Sequence, residues 1–123
     1  MDEPMAVAPK EDYMKRATNK NWPSIIFFEM NGRASAIHFL LEHAGQNYNE
    51  DYITFDTWPV RKKDYGGNGP PLVVLPDGMV LGESIPQTIY YGKLFGYYPR
   101  DDMQAYQMEK ILVKFDDAFT KLG

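Results

Sequence analysis

The chain contains no cysteine. That absence excludes disulfide scaffolding, thiolate metal sites and every mechanism that runs through a thiol of the protein itself. Histidine is nearly missing as well. The two that occur, His38 and His43, are five residues apart, whereas partners on one helix face sit three or four apart. They read as partly exposed helix residues, and no metal is expected. Positive charge is not in excess: a formal net charge of −4 offers no basic footprint for nucleic acid. No apolar run approaches the roughly 18 residues of a membrane span. The opening stretch MDEPMAVAPKEDYMKR has no apolar segment of the kind a secretory signal needs, and two acids follow its first methionine. Neither a secretory nor a mitochondrial presequence is expected, and an intracellular, cytoplasmic setting is the expectation.

What is present suffices for one ordinary domain. The chain has 123 residues, 44% of them hydrophobic and 15% aromatic, so a packed core is within reach and wholesale disorder is not expected. Residues 1–21 are polar and of mixed charge, and read as an arm that turns helical over 11–20 only when bound. Trp22-Pro23 then introduces Ser-Ile-Ile-Phe-Phe, a short apolar run of the kind that forms a buried strand. After Gly32, residues 33–44 carry Ala36, Ile37, Leu40, Leu41 and Ala44 at helical spacing, with Gly45 as the stop. The segment YNEDYITF predicts a second strand, centred on 52–55. Strand, helix and strand thus fall within about 33 residues, the size of a unit with parallel strands.

TWPVRKKDYGGNGPP reads as a long polar loop with one helical turn after Pro59. Residues 72–75 and 79–81 predict two strands joined by Pro76-Asp77-Gly78, a hairpin signal. Ser84 is placed to cap a helix over 85–95 that ends at Gly96. Pro99 to Asp102 then opens a last helix to about residue 121, with Met108, Ile111, Leu112, Phe115, Phe119 and Leu122 on one stripe. This order predicts an α/β chain: a thioredoxin-like mixed four-stranded sheet with flanking helices, plus one C-terminal helix. The boundaries expected are an arm over 1–21, the sheet domain over 22–99 and the helix over 100–123.

Four stretches carry a resemblance. FFEMNGRASAIHFLLEHAG resembles the first strand and helix of glutathione S-transferases. TWPVRKK resembles their Trp-x-x-x-Lys segment, PPLVVLPDGMVLGES their cis-proline, hairpin and Gln/Glu-Ser step, and TIYYGKLFGYYPRDD the exit of their third helix. The resemblance covers roughly residues 22–122 and lies nearest the classes that use a catalytic tyrosine, such as sigma, mu and pi. It implies glutathione as the ligand. Ser84, at a helix start, would then hold the γ-glutamyl carboxylate, since helix N-termini bind anions. Glu83 would face the ligand's ammonium group. Trp58, Lys62 or Lys63, and Arg33 would hold the glycine carboxylate. Pro71 would be the cis-proline, with Pro70 supplying backbone contacts, and Asp117 would reach a ligand across a dimer interface. Each residue also has a plain structural reading: Ser84 as a cap, Trp58 as core, Lys62 and Lys63 as a solvated pair.

Three departures stand against an intact enzyme. Aligned on Gly32-Arg33, the tyrosine slot is Phe27, whose ring cannot donate a hydrogen bond to a thiolate. Ile26, Phe28 and Glu29 are no better, and neither are Met30 and Asn31 where other classes use Ser or Cys. Pro70 lacks the N–H that its position normally offers. The helices that follow the first helix of the second domain are not in this sequence, so the Ile111, Leu112, Phe115 and Phe119 stripe is expected to meet a protein partner or a second copy. The first expectation is therefore a glutathione S-transferase-like protein with impaired thiol activation, kept as a glutathione-binding or structural module. The alternative is a working transferase that recruits another hydroxyl, Tyr65 or Tyr13.

Overall fold

The computed structural model describes residues 7–28 and 32–122, with side chains through 118. At its centre lies β1 (Ser24–Phe28), whose five residues leave almost nothing exposed because both faces are covered. It pairs in parallel with β2 (Asn49–Ile53), setting Phe27 opposite Tyr52, and antiparallel with β3 (Leu72–Val74), setting Ile26 opposite Leu72. β3 in turn pairs antiparallel with β4 (Val80–Leu81). The order β2-β1-β3-β4 is a mixed sheet of the thioredoxin-like kind, as the sequence predicts.

Alternation along β1 separates two cores. Ile25 and Phe27 point to the side where α2 (Ser35–Ala44) and α4 (Ser84–Leu94) lie, meeting Ile37, Leu41 and Tyr91. Ile26 points to the other side and meets Trp58 and Tyr65. The latter two belong to α3 (Trp58–Arg61) and to the 3-10 turn Lys62–Tyr65 that continues it. α2 is entered through another 3-10 turn, Gly32–Ala34, and ends at Gly45. There φ is +75° and the N–H groups of Gly45 and Gln46 bond back to Glu42 and Leu41. This left-handed step satisfies the last carbonyls at no steric cost to glycine. α5 (Asp102–Leu122) packs on α4 and on the Gly32–Ala34 turn.

Several expectations are corrected. Residues 7–21 do not project as a free arm. They form α1 (Lys10–Arg16) and lie against the sheet face of Ile26, with Ala8 and Tyr13 each 2% exposed. The seven residues of α1 carry no apolar stripe, and a single tyrosine anchors them, which is why periodicity does not reveal the docking. The second strand lies at Asn49–Ile53 rather than around 52–55, because Asn49, its side chain bonded to Ser24 Oγ and Asn19 O, fixes the start. The loop after it holds two helical turns instead of one. Ser84 is not the cap of α4: Glu83 takes that place with φ +66°, and Ser84 is the first helical residue. Of the α5 stripe, Met108 and Leu112 are half-buried, whereas Ile111 and Phe115 are 65% and 53% exposed. The side chains of Phe119 and Leu122, and the residues Glu29, Met30 and Asn31, lie outside the described residues.

Candidate functional site

The end of β1 brings Phe27 to the region where chemistry was expected. Its ring is 6% exposed. It packs edge-on to His38 at 4.7 Å between centroids and tilts against Tyr52 at 4.9 Å. His38 is held in turn by Ala34 O at Nδ1 (2.7 Å) and by Glu50 at Nε2 (3.0 Å). The slot is thus filled by hydrocarbon that belongs to the core of the α2 face.

Neither of the two tyrosines considered as substitutes can reach it. Tyr13 and Tyr65 are buried on the opposite sheet face. The hydroxyl of Tyr13 donates to Trp22 O at 3.0 Å, and that of Tyr65 to Asp12 Oδ2 at 3.2 Å.

The residues assigned to the ligand divide into two groups. Arg33 and Ser84 come together, and what joins them is Asp116 of α5. Ser84 Oγ donates to Asp116 Oδ1 at 3.0 Å, and Arg33 Nε lies 3.1 Å from the same oxygen. Between these residues and Leu112 remains a crevice of about 20 Å³, room for little more than one water. A ligand carboxylate would approach the start of α4 from outside it, where first-turn N–H groups have no intrahelical acceptor. Asp116 is the residue at this spot that sequence reasoning missed. The available signal was that it stands four residues after Leu112, on the half-buried side of α5, whereas its neighbour Asp117 is exposed.

Of the second group, Trp58 and the two lysines lie on the other sheet face, and the proline segment lies against α4. Trp58 is 9% exposed and lies parallel to Tyr65, with centroids 6.1 Å apart. Lys62 and Lys63 are exposed on the adjoining 3-10 turn. Arg61, just before them, grips Asp51 through both terminal nitrogens, at 3.2 and 2.7 Å. The Pro70–Pro71 peptide bond is cis, and Pro71 is buried. Gln87 of α4 donates its Nε2 to the carbonyls of both Pro71 and Leu81, each at 2.7 Å, so the proline segment is tied to the helix that begins at Ser84. Glu83 is exposed beside it.

The arrangement offers cations at two places, a helix start and a proline segment between sheet and helix. It offers no hydroxyl at Phe27. Its charges are of the kind a small, multiply charged peptide would meet, and the Phe27 ring carries no donor for a thiolate.

Comparison with known proteins agrees with the fold. No family model matches the chain. A probable glutathione S-transferase 6 of Caenorhabditis elegans is 31% identical over 97 residues, which cover 76% of this chain and 45% of the relative. The class-mu 28 kDa glutathione S-transferase of Schistosoma bovis is 32% identical over 97 residues, 76% of this chain and 46% of its own. Among solved structures, a Nu-class enzyme from Haemonchus contortus superposes with a TM-score of 0.68 at 25% identity, covering 77% of this chain and 46% of that one. The chain spans somewhat less than half the length of these relatives. It is a homologue of the glutathione S-transferases, built on the thioredoxin-like domain of that family.

Proposed function

We propose that this protein binds glutathione without activating its thiol, and serves as a glutathione-binding or structural module within a larger assembly. The observation that carries this reading is Phe27, packed on His38 and Tyr52 where the resemblance calls for a hydroxyl. The binding half of the chemistry is supported by the residues that remain. The start of α4 at Ser84 suits the γ-glutamyl carboxylate and Glu83 the ammonium group. Trp58, with Lys62 or Lys63 and Arg33, suits the glycine carboxylate, because charge-assisted bonds are the strong ones. Pro70 offers a carbonyl and no N–H, so one backbone bond to the cysteinyl part is lost, at about 0.5–1.5 kcal/mol. The exposed side of α5, with Ile111 and Phe115, is the surface for a protein partner or a second copy. Among the described residues no helix is long and apolar enough to cross a membrane.

The test is a calorimetric titration of glutathione into the protein, with Ser84→Ala alongside, and an assay of turnover with a generic electrophile. Saturable binding weakened by the substitution, with negligible turnover, supports the reading. Turnover comparable to that of an intact transferase would return the protein to the enzymes. No binding at millimolar glutathione would leave a scaffold only.

A further inference from the structure

Residues 7–21 lie outside the stretch that resembles the transferases, yet they are fastened at both ends. At one end Val7 forms a bridge with Met79, and Ala8 N–H donates to Gly78 O at 2.7 Å. Gly78 has φ +95°, and a side chain there would stand 3.2 Å from Ala8 O, so the close approach depends on glycine. At the other end Asn19 N–H donates to Asn49 Oδ1 at 2.9 Å, and Asn49 Nδ2 returns a bond to Asn19 O at 2.8 Å. Between these ties the segment crosses the sheet face that carries α3 and its 3-10 turn.

The contact in the middle is polar and partly buried. Tyr65, 0% exposed, donates its hydroxyl to Asp12 Oδ2 at 3.2 Å and accepts from Arg61 Nη2 at 3.3 Å. Arg61 holds Asp51 of β2, while the ring of Tyr65 backs the indole of Trp58. Burial alone would raise the Asp12 carboxyl; hydrogen bonds from Arg16 and Tyr65 and the charges of Arg16 and Arg61 outweigh it and hold the group below its ordinary value. Asp12 is therefore an anion where the chain needs one. A network of this kind fixes geometry through the bonds its members make, and here only Arg61 Nε is left without one.

We infer that α1 is a positioning element: through Asp12 and Tyr65 it holds the α3 and 3-10 lobe, and with it Trp58, Lys62 and Lys63, in the place from which they take the glycine carboxylate of glutathione. The ligand named here rests on the proposed function; the hold on the lobe does not. Asp12 and Tyr65 touch no ligand in this scheme and act through Trp58 and the two lysines.

The experiment uses the full chain and two mild variants, Asp12→Asn and Tyr65→Phe, either of which suffices if the other fails to fold. Amide hydrogen exchange is followed without ligand, and glutathione and γ-glutamylcysteine, which lacks the glycine, are titrated into each protein. The expected result is exchange about tenfold faster over residues 58–65 and unchanged over 84–94. Glutathione affinity is expected to drop about five- to tenfold and that of γ-glutamylcysteine to stay the same. Unchanged exchange over 58–65 would overturn the inference. So would equal losses for the two ligands, since a general structural role moves both. If the unsubstituted protein binds neither, the glutathione reading falls, and exchange alone decides whether α1 holds the lobe.

Discussion

Ser84 and Asp116, 32 residues apart, share a hydrogen bond of 3.0 Å that ties the first residue of α4 to the middle of α5. Arg33 lies on the same carboxylate oxygen at 3.1 Å, so one side chain of α5 gathers a helix start and a 3-10 turn. Leu112 and Phe115 line the crevice beside Ser84 and Arg33, while Ile111 is 65% exposed. Asp116 adds a polar tie to that packing.

Asp116→Ala is expected to loosen α5 before anything else. Both charged partners are about a third exposed, 32% and 29% at the side chain, so solvent screening limits the cost to about 0.5–1.5 kcal/mol. Hydrogen exchange over residues 102–118 should rise while that of β1 and β3 stays slow. Unchanged protection of α5 would show that Leu112 and its apolar neighbours hold the helix without the acid.

The pair of Asp51 and Arg61 should answer differently, because its side chains are only 13% and 9% exposed. Burial alone would lower the Arg61 value, and the bonds to Asp51 and Tyr65 reverse that. Asp51→Ala leaves a buried guanidinium with Tyr65 alone, and the expected cost is about 3–5 kcal/mol. Replacing both residues with apolar ones of similar size, as in Asp51→Leu with Arg61→Met, should restore much of the loss. A thermal melt of the three proteins decides it: a single variant as stable as the parent would mean that Arg61 reaches water when Asp51 is gone.

The contrast between these two sites marks how far the sequence can be read. The sheet was legible because Ser-Ile-Ile-Phe-Phe, Leu-Val-Val and the Pro-Asp-Gly turn follow local rules of burial and turn chemistry. α1 was not, because Tyr13 and Ala8 are two residues without a period, and they meet Trp22, nine positions past Tyr13, and Gly78 and Tyr65 far along the chain. The role expected of Ser84 as a cap failed for a related reason. A serine at a helix start does satisfy local rules, yet a carboxylate 32 positions away claims its hydroxyl. Long-range polar pairs leave no local trace.

Three buried tyrosines give the fold an alkaline limit. Burial raises Tyr13, Tyr65 and Tyr91 above the ordinary value of 10.0. Below that pH both folded and unfolded chains keep the phenolic protons, and these groups contribute nothing to the pH dependence. Above it the unfolded chain ionises first and binds fewer protons, so stability falls as pH rises, until the folded values are reached. At pH 10.5 the loss through Tyr91, the most strongly raised of the three, is about 0.8 kcal/mol. Urea unfolding at pH 8 and pH 10.5 measures it, and Tyr91→Phe should lose less between the two than the parent. An equal loss in both proteins would assign the alkaline sensitivity elsewhere.

Phe27→Tyr tests whether one hydroxyl separates this protein from a catalyst. If the slot faces the sulfur of bound glutathione, a phenol there donates to the thiolate and lowers the thiol's pKa, so more nucleophile exists at neutral pH. The expected outcome is ultraviolet absorbance of a bound thiolate at pH 7 and conjugation at least about tenfold faster, with glutathione affinity little changed. The competing outcome follows from the packing: Phe27 is 6% exposed between His38 and Tyr52, and a hydroxyl trapped there without a partner costs about 1–3 kcal/mol. A variant that melts lower and shows no thiolate would mean that the ring points into the core and not at the ligand. The deficit would then lie in the seating of β1 against α2, and His38→Ala, which opens that side of the ring, would be the substitution to combine with it.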